Sequence, residues 1–142
     1  MKGIGIFSHS TKEISSFEIV TLHTSGMRYI TDHEIVAKGD DKAEVTRYSI
    51  RFSDGKDIRI PEKQAVTGMD DVLKILNDCR MLSWDGFFGK HPKNVRDGEM
   101  FRLDASVNGG RTIHASGSEN FPKDYRKFKD WLYEILSGSD KN

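Results

Sequence analysis

Between residues 17 and 117 apolar side chains recur mostly at every second position, and at two places, 69–79 and 125–136, the recurrence lengthens to the helical 3.6. Phe17 to His23 reads as a strand closed by a Thr24-Ser25-Gly26 turn, and a second strand runs from about Arg28 to Ala37. Lys38-Gly39-Asp40-Asp41 is a turn cluster. From Val45 to Phe52, Thr46, Tyr48, Ile50 and Phe52 alternate with Val45, Arg47, Ser49 and Arg51, so the apolar set should face the core. Asp54-Gly55 supplies the positive φ angles of a tight hairpin turn into a returning strand, Asp57 to Ile60, which Pro61 should end by removing an amide donor.

Met69, Val72, Leu73, Leu76 and Cys79 then fall on one helical face behind Asp70 and Asp71, whose charges suit a helix N-terminus. A second hairpin follows. Phe101, Leu103, Ala105 and Val107 share one face, Asn108-Gly109-Gly110 turns the chain, and Thr112 to Gly117 returns. Pro122 sits at a first-turn position ahead of a broad stripe of Tyr125, Phe128, Trp131, Leu132, Ile135 and Leu136. The pattern predicts an α+β domain: an antiparallel sheet of about six strands in hairpins, with two amphipathic helices packed on it and the C-terminal helix as main anchor. Each hairpin with a Gly turn leads to a helix, so a ββα pseudo-repeat is one reading and the general likeness of such hairpins is the other. Domain bounds of 17–137 leave residues 1–16 as a poorly ordered N-terminal segment and 138–142 as a tail.

Composition narrows the function classes. The 142 residues hold 22 Lys+Arg against 22 Asp+Glu, so there is no basic field to draw nucleic acid or anionic lipid. No apolar run reaches the roughly 18 residues of a membrane span, and Ser8-His9-Ser10 breaks the N-terminal apolar patch too early for a signal segment; a cytoplasmic location is expected. The single Cys79, on a helical apolar face, reads as a core residue.

The series Ser83-Trp84-Asp85-Gly86-Phe87, Asp97-Gly98 with Phe101, Asn108-Gly109-Gly110, Ile113, Ala115, Gly117, Pro122, Tyr125 and Phe128 resembles an uncharacterised bacterial α+β domain family, found as small single-domain proteins and within envelope-associated ones. The resemblance spans roughly residues 17 to 136. It implies the α+β plan and no activity, because the family has none assigned and its motif is mostly Gly, Pro and aromatic residues.

The most unusual stretch is the loop from Ser83 to Gly98, too long for a mere connection and rich in aromatic, glycine and ionisable residues. As a binding loop it would use Trp84 and Phe87 or Phe88 as an apolar platform, with Lys90, His91, Lys93 and Arg96 meeting an anion or a carboxylate-bearing partner and Asp85 counted among the candidate ligand-binding residues. As a structural loop it would bury Trp84 and Phe87 while Asp85 bonds the turn backbone. None of His9, His23, His33, His91 and His114 has zinc-ligand spacing, so neither metal nor cofactor is expected. Gly3-Ile4-Gly5 lacks the flanks of a dinucleotide loop, no Gly-x-Ser-x-Gly occurs, and Asp40-Asp41 and Asp70-Asp71 read as a turn and a helix start. The wet face of the second hairpin should carry Arg102, Asp104 and Ser106 beside Thr112, His114 and Ser116. The leading expectation is a non-enzymatic binding or interaction module that takes an unknown protein segment or a small polar ligand at loop 83–98, with no nucleic acid and no membrane. A small hydrolase pairing His91 or His114 with Asp85 or Asp104 is the alternative, and a homodimer through exposed strand edges is a third.

Overall fold

The computed structural model describes residues 13–138. Strands β1 (Phe17–Gly26), β2 (Tyr29–Lys38), β3 (Lys42–Ser53) and β4 (Lys56–Gly68) form a meander that runs directly into helix α1 (Met69–Asp78). A 3-10 turn (Met81–Trp84) and the two-residue strand β5 (Phe88–Gly89) lead to β6 (Met100–Val107), β7 (Arg111–Ser118) and helix α2 (Tyr125–Gly138). The seven strands make one sheet in the order β4-β3-β2-β1-β6-β7-β5, antiparallel except for the β5–β7 pair. Both helices lie on the same face.

Period two settles which face is covered. Phe101, Leu103, Ala105 and Val107 of β6 are all buried, as are Ile113 and Ala115 of β7, Val20 and Leu22 of β1, and Ile35 of β2. Against them α1 buries Val72, Ile75 and Leu76, and α2 buries Tyr125, Phe128, Leu132 and Leu136, with Trp131 and Ile135 half-buried at the edge of the same stripe. Cys79 is buried beside them, and burial pushes its thiol up to about 12. Pro122 is buried three residues ahead of α2, where its carbonyl accepts from the Tyr125 amide, and not within the first turn.

Five further expectations are corrected. The β1–β2 turn falls at Met27-Arg28, because β1 continues through Thr24 and Ser25 to Gly26, whose missing Cβ makes room for the Tyr29 ring. In β3 the helices cover the side of Ala43 and Val45. Tyr48 instead lies beneath the Arg59 guanidinium, 4.0 Å from its ring centre, and Phe52 is 75% exposed. Pro61 does not end β4: a bulge there offsets the register by one residue and β4 is an edge strand, the two settings in which a missing amide is tolerated. The loop 83–98 is shortened at its start by the 3-10 turn and by β5. Finally, residues 13–16 are packed, with Ile14 in the core and its amide and carbonyl both bonded by the Asn77 side chain at 2.8 and 2.9 Å; residues 1–12, with Gly3-Ile4-Gly5 and Ser8-His9-Ser10, lie outside the described residues.

The sheet outreaches its helices. At ~1.5 Å per helical residue α2 is about 21 Å long, whereas β4 at ~3.3 Å per residue spans about 43 Å. Every residue from 51 to 62 is accordingly exposed, Phe52, Ile58 and Ile60 among them.

Candidate functional site

The residues of loop 83–98 divide between core and solvent. Trp84 is buried, donates its indole N–H to the Lys123 carbonyl at 3.1 Å, and packs edge-on against Phe128. Phe87 packs on the core beside Phe101. Asp85 accepts the His114 amide at 2.9 Å and so ties the loop to β7. Gly89 and Gly117 lie so close to the Asn120 carbonyl that a Cβ on either would stand 2.3 or 2.2 Å from it, which is why small residues occupy this seam. His91 is held between the Ser118 hydroxyl, at 2.6 Å, and the Val95 carbonyl. Phe88, Lys90, Lys93 and Arg96 are exposed, Phe88 at 77%. The aromatic platform is therefore absent, and an exposed basic tip with one phenyl ring remains.

On its uncovered face the second hairpin carries the six residues expected there, paired as Arg102 opposite Ser116, Asp104 opposite His114 and Ser106 opposite Thr112. His114 Nδ1 stands 2.6 Å from one Asp104 oxygen and Arg102 Nε 3.2 Å from the other, in a shallow hollow of about 220 Å³. Both partners are well exposed, the His114 side chain at 64% and Asp104 at 46%, so water screens the pair. A second such pair, His23 Nδ1 to Asp32 at 2.6 Å, lies further along the same face, where Arg59 also reaches Asp32. The register places His23 opposite Asp32 and therefore on the other side of the sheet from His33.

A third place, beneath α2 on the covered face, gathers residues that no spacing in the chain connects. Glu99 is one position past the loop. Its carboxylate accepts from Tyr29 Oη at 2.7 Å and Tyr125 Oη at 3.0 Å, and Lys129 Nζ lies 3.1 Å from both oxygens. The Glu99 amide in turn donates to the Glu119 carboxylate. Burial alone would raise the Glu99 pKa; the hydrogen bonds from Tyr29 and Lys129, the Lys129 charge and the Tyr125 hydroxyl outweigh it and hold the carboxyl below its ordinary range. Burial and the same carboxylate push both tyrosines up, so they remain donors at neutral pH. Around this cluster is a cavity of about 690 Å³ between Glu119, Phe121, Arg126 and Tyr133. Tyr133 also borders a neighbouring cleft of about 350 Å³, with Tyr29, Arg47, Glu62 and the buried His33. Burial first, then the charges of Arg47 and Lys129, push the His33 imidazole down to about 4.

The set comes from β2, β3, β4, the end of the long loop, the β7–α2 connection and α2. One sign of it was visible along the chain: His33 lies on the inward stride of β2 with Thr31 and Ile35.

The chain matches no family model and no curated protein. Among the described residues no three His, Cys, Asp or Glu side chains stand together as a metal-ion cage, and no helix is long and apolar enough to cross a membrane.

Proposed function

We propose that this protein is a non-enzymatic binding module for a small polar ligand, held in the paired clefts beneath α2, with the end of loop 83–98 as one wall. The observation that carries the reading is the Glu99 carboxylate, fixed by Tyr29, Tyr125 and Lys129 beside a cavity of about 690 Å³ with a half-exposed aromatic rim at Tyr133. Concave, partly apolar sites with a few fixed polar groups are where small ligands bind. Thermal-shift screening of the full chain against carboxylates, amines, saccharides and nucleosides tests it. A stabilising compound is expected whose effect disappears in Tyr133→Ala and Glu99→Gln and survives in Phe88→Ala and Lys90→Ala. The reverse pattern would move the site to the loop tip, and no stabilising compound in any class would end the reading.

A small hydrolase is the second reading, favoured by the 2.6 Å contact of Asp104 with His114 Nδ1, which leaves Nε2 directed away from the carboxylate, with Ser116 two residues on along the same strand face. Hydrolysis of activated esters by the purified protein, abolished by His114→Ala, would establish it. A rate unchanged by that substitution would dismiss it.

A further inference from the structure

Among the described residues the sheet has one long open edge: β4 has thirteen residues, whereas β5 at the opposite side has two. An unpaired edge of that length is a template for a further strand unless something blocks it. The two-residue turn Asp54-Gly55, with φ of 52° and 76°, closes on the pair Ser53 and Lys56, which in such a hairpin exchanges both backbone hydrogen bonds. Bonded and non-bonded pairs then alternate along the unbroken register. Lys56, Ile58 and Ile60 therefore bond β3, while the N–H and C=O of Asp57 and Arg59 face away from it, out of the edge. Pro61 is the next outward position, so its missing amide costs β4 no bond to β3, and the bulge follows at once. Pro61 and the bulge interrupt the edge from there on; the stretch 56–60 is left open, every residue of it exposed.

The open stretch is complementary to itself in one register. An antiparallel strand laid on it must bring its own outward groups opposite Asp57 and Arg59, and in a two-fold pairing with a second copy the position of the axis decides what meets. An axis through Asp57 sets Asp57 against Asp57. One through Arg59 sets arginine against arginine, and like charges directly opposite each other are destabilising. One through Ile60 sets Arg59 against Pro61, which has no amide to give. An axis through Ile58 sets Asp57 against Arg59 twice, completes both backbone hydrogen bonds of each pair, and brings Ile58, 43% exposed, against its own copy. Arg59 already reaches Asp32 at 3.2 Å and Glu34 at 3.6 Å, but a guanidinium has five N–H donors and keeps some for a further carboxylate. The paired stretch lies in the part of the hairpin that outreaches the helices, so the helical layers of the two copies stand at opposite ends of the joint.

We propose that this chain forms a two-fold dimer in which β4 pairs with β4 of a second copy, centred on Ile58, so that one sheet runs through both. The proposal is independent of the binding-module reading. About five residues a side meet, against roughly 20–30 in a stable interface, so the dimer is weak and forms as concentration rises.

Sedimentation equilibrium of the full chain from about 10 µM to about 1 mM tests the association, and cysteine cross-linking tests the register. The wild-type mass should rise from one chain toward two. It should stay at one chain in Ile58→Lys, which sets two ammonium groups together at the axis, and in Asp57→Arg, which sets arginine against arginine; both positions are exposed, and a far-ultraviolet spectrum like wild type certifies the fold of each. A non-bonded pair on the axis brings its Cβ atoms within disulfide reach, so Ile58→Cys should oxidise to a covalent dimer at least about tenfold faster than Val66→Cys, a more exposed position on the same strand. Cys79 is buried and takes no part. A wild-type mass of one chain throughout the range would overturn the proposal. So would a dimer that Ile58→Lys and Asp57→Arg leave intact, or one in which Ile58→Cys cross-links no faster than Val66→Cys, since another surface or register would then join the copies.

Discussion

Substituting Glu99 by Gln keeps the side chain's shape and removes its charge, and the structure sets the size of the effect. Three donors converge on this carboxylate: Tyr29 Oη at 2.7 Å, Tyr125 Oη at 3.0 Å and Lys129 Nζ at 3.1 Å from each oxygen. A hydrogen bond to a charged group contributes roughly 1.5–3 kcal/mol against roughly 0.5–1.5 for a neutral one, so each donor loses about 1 kcal/mol. The carboxylate and ammonium side chains are only 20% and 16% exposed, which limits compensation by water. Glu99→Gln should therefore destabilise by about 2–3 kcal/mol at pH 7, seen in urea as a midpoint lowered by roughly 1–2 M with an unchanged slope. The pH dependence has a definite sign. The folded carboxyl titrates below its ordinary 4.5, so the unfolded chain takes up the proton first as pH falls; the stabilisation is complete above about 4.5 and is lost as pH drops through the folded value. The gap between wild type and variant should shrink in the same window. A variant within about 0.5 kcal/mol of wild type at pH 7, or a gap constant across the acid range, would refute the reasoning.

Phe128→Ala removes a ring buried between Trp84 and Trp131 and should cost about 3–5 kcal/mol in the same urea assay, whereas Phe88→Ala, at a 77% exposed ring, should stay within about 0.5 kcal/mol. Gly117→Ala would place a methyl 2.2 Å from the Asn120 carbonyl oxygen and 2.8 Å from the Phe101 ring; a loss of about 3 kcal/mol or more, or failure to fold, is expected in thermal unfolding. His33 stays neutral in the fold down to about 4 but takes up a proton near 6.5 when unfolded, so wild-type stability should fall between about pH 6.5 and 4 by on the order of 3 kcal/mol, a slope that His33→Phe flattens. At pH 7 that variant should be at least as stable as wild type, because it removes two buried atoms without partners.

Where local period and tertiary cover agree, the fold was legible. The stride from Phe101 to Val107 and the stripe from Tyr125 to Leu136 meet across one interface, so each pattern marks the same core. In β3 they disagree. Tyr48, Ile50 and Phe52 outweigh Ala43 and Val45 in apolar bulk, but which side of a strand is buried is decided by where the helices lie, and no window within β3 contains that information. Pro61 misleads for a related reason: its missing amide is disruptive only in a strand paired on both sides, and edge position is a property of the whole sheet. The Glu99 cluster was out of reach altogether, since its members stand 70, 26 and 30 residues from Glu99 along the chain. His33 was weighed only against the other histidines as a metal ligand; its place among Thr31 and Ile35 on the buried stride was the better clue.

The position of the cleft follows from the mismatch in length between layers. A helix of about 21 Å cannot cover a hairpin of about 43 Å, so the apolar layer must stop part-way along β2, β3 and β4. Beyond that line the sheet presents Arg47, Ser49, Ile58 and Ile60 toward the helix side with nothing packed over Ile58 and Ile60, exposed at 43% and 36%. At the line itself the side chains must be compatible with both dry core and water. Tyr29 and Tyr125 satisfy this by donating their hydroxyls to the Glu99 carboxylate, and Glu99 and Lys129 by neutralising each other. His33 does not satisfy it: it is as buried as the core and as polar as the rim. A purely structural boundary would be better served there by Phe or Leu. The imidazole therefore carries a desolvation cost at the boundary between covered and uncovered sheet, beside the clefts in which the proposed binding module would hold its ligand.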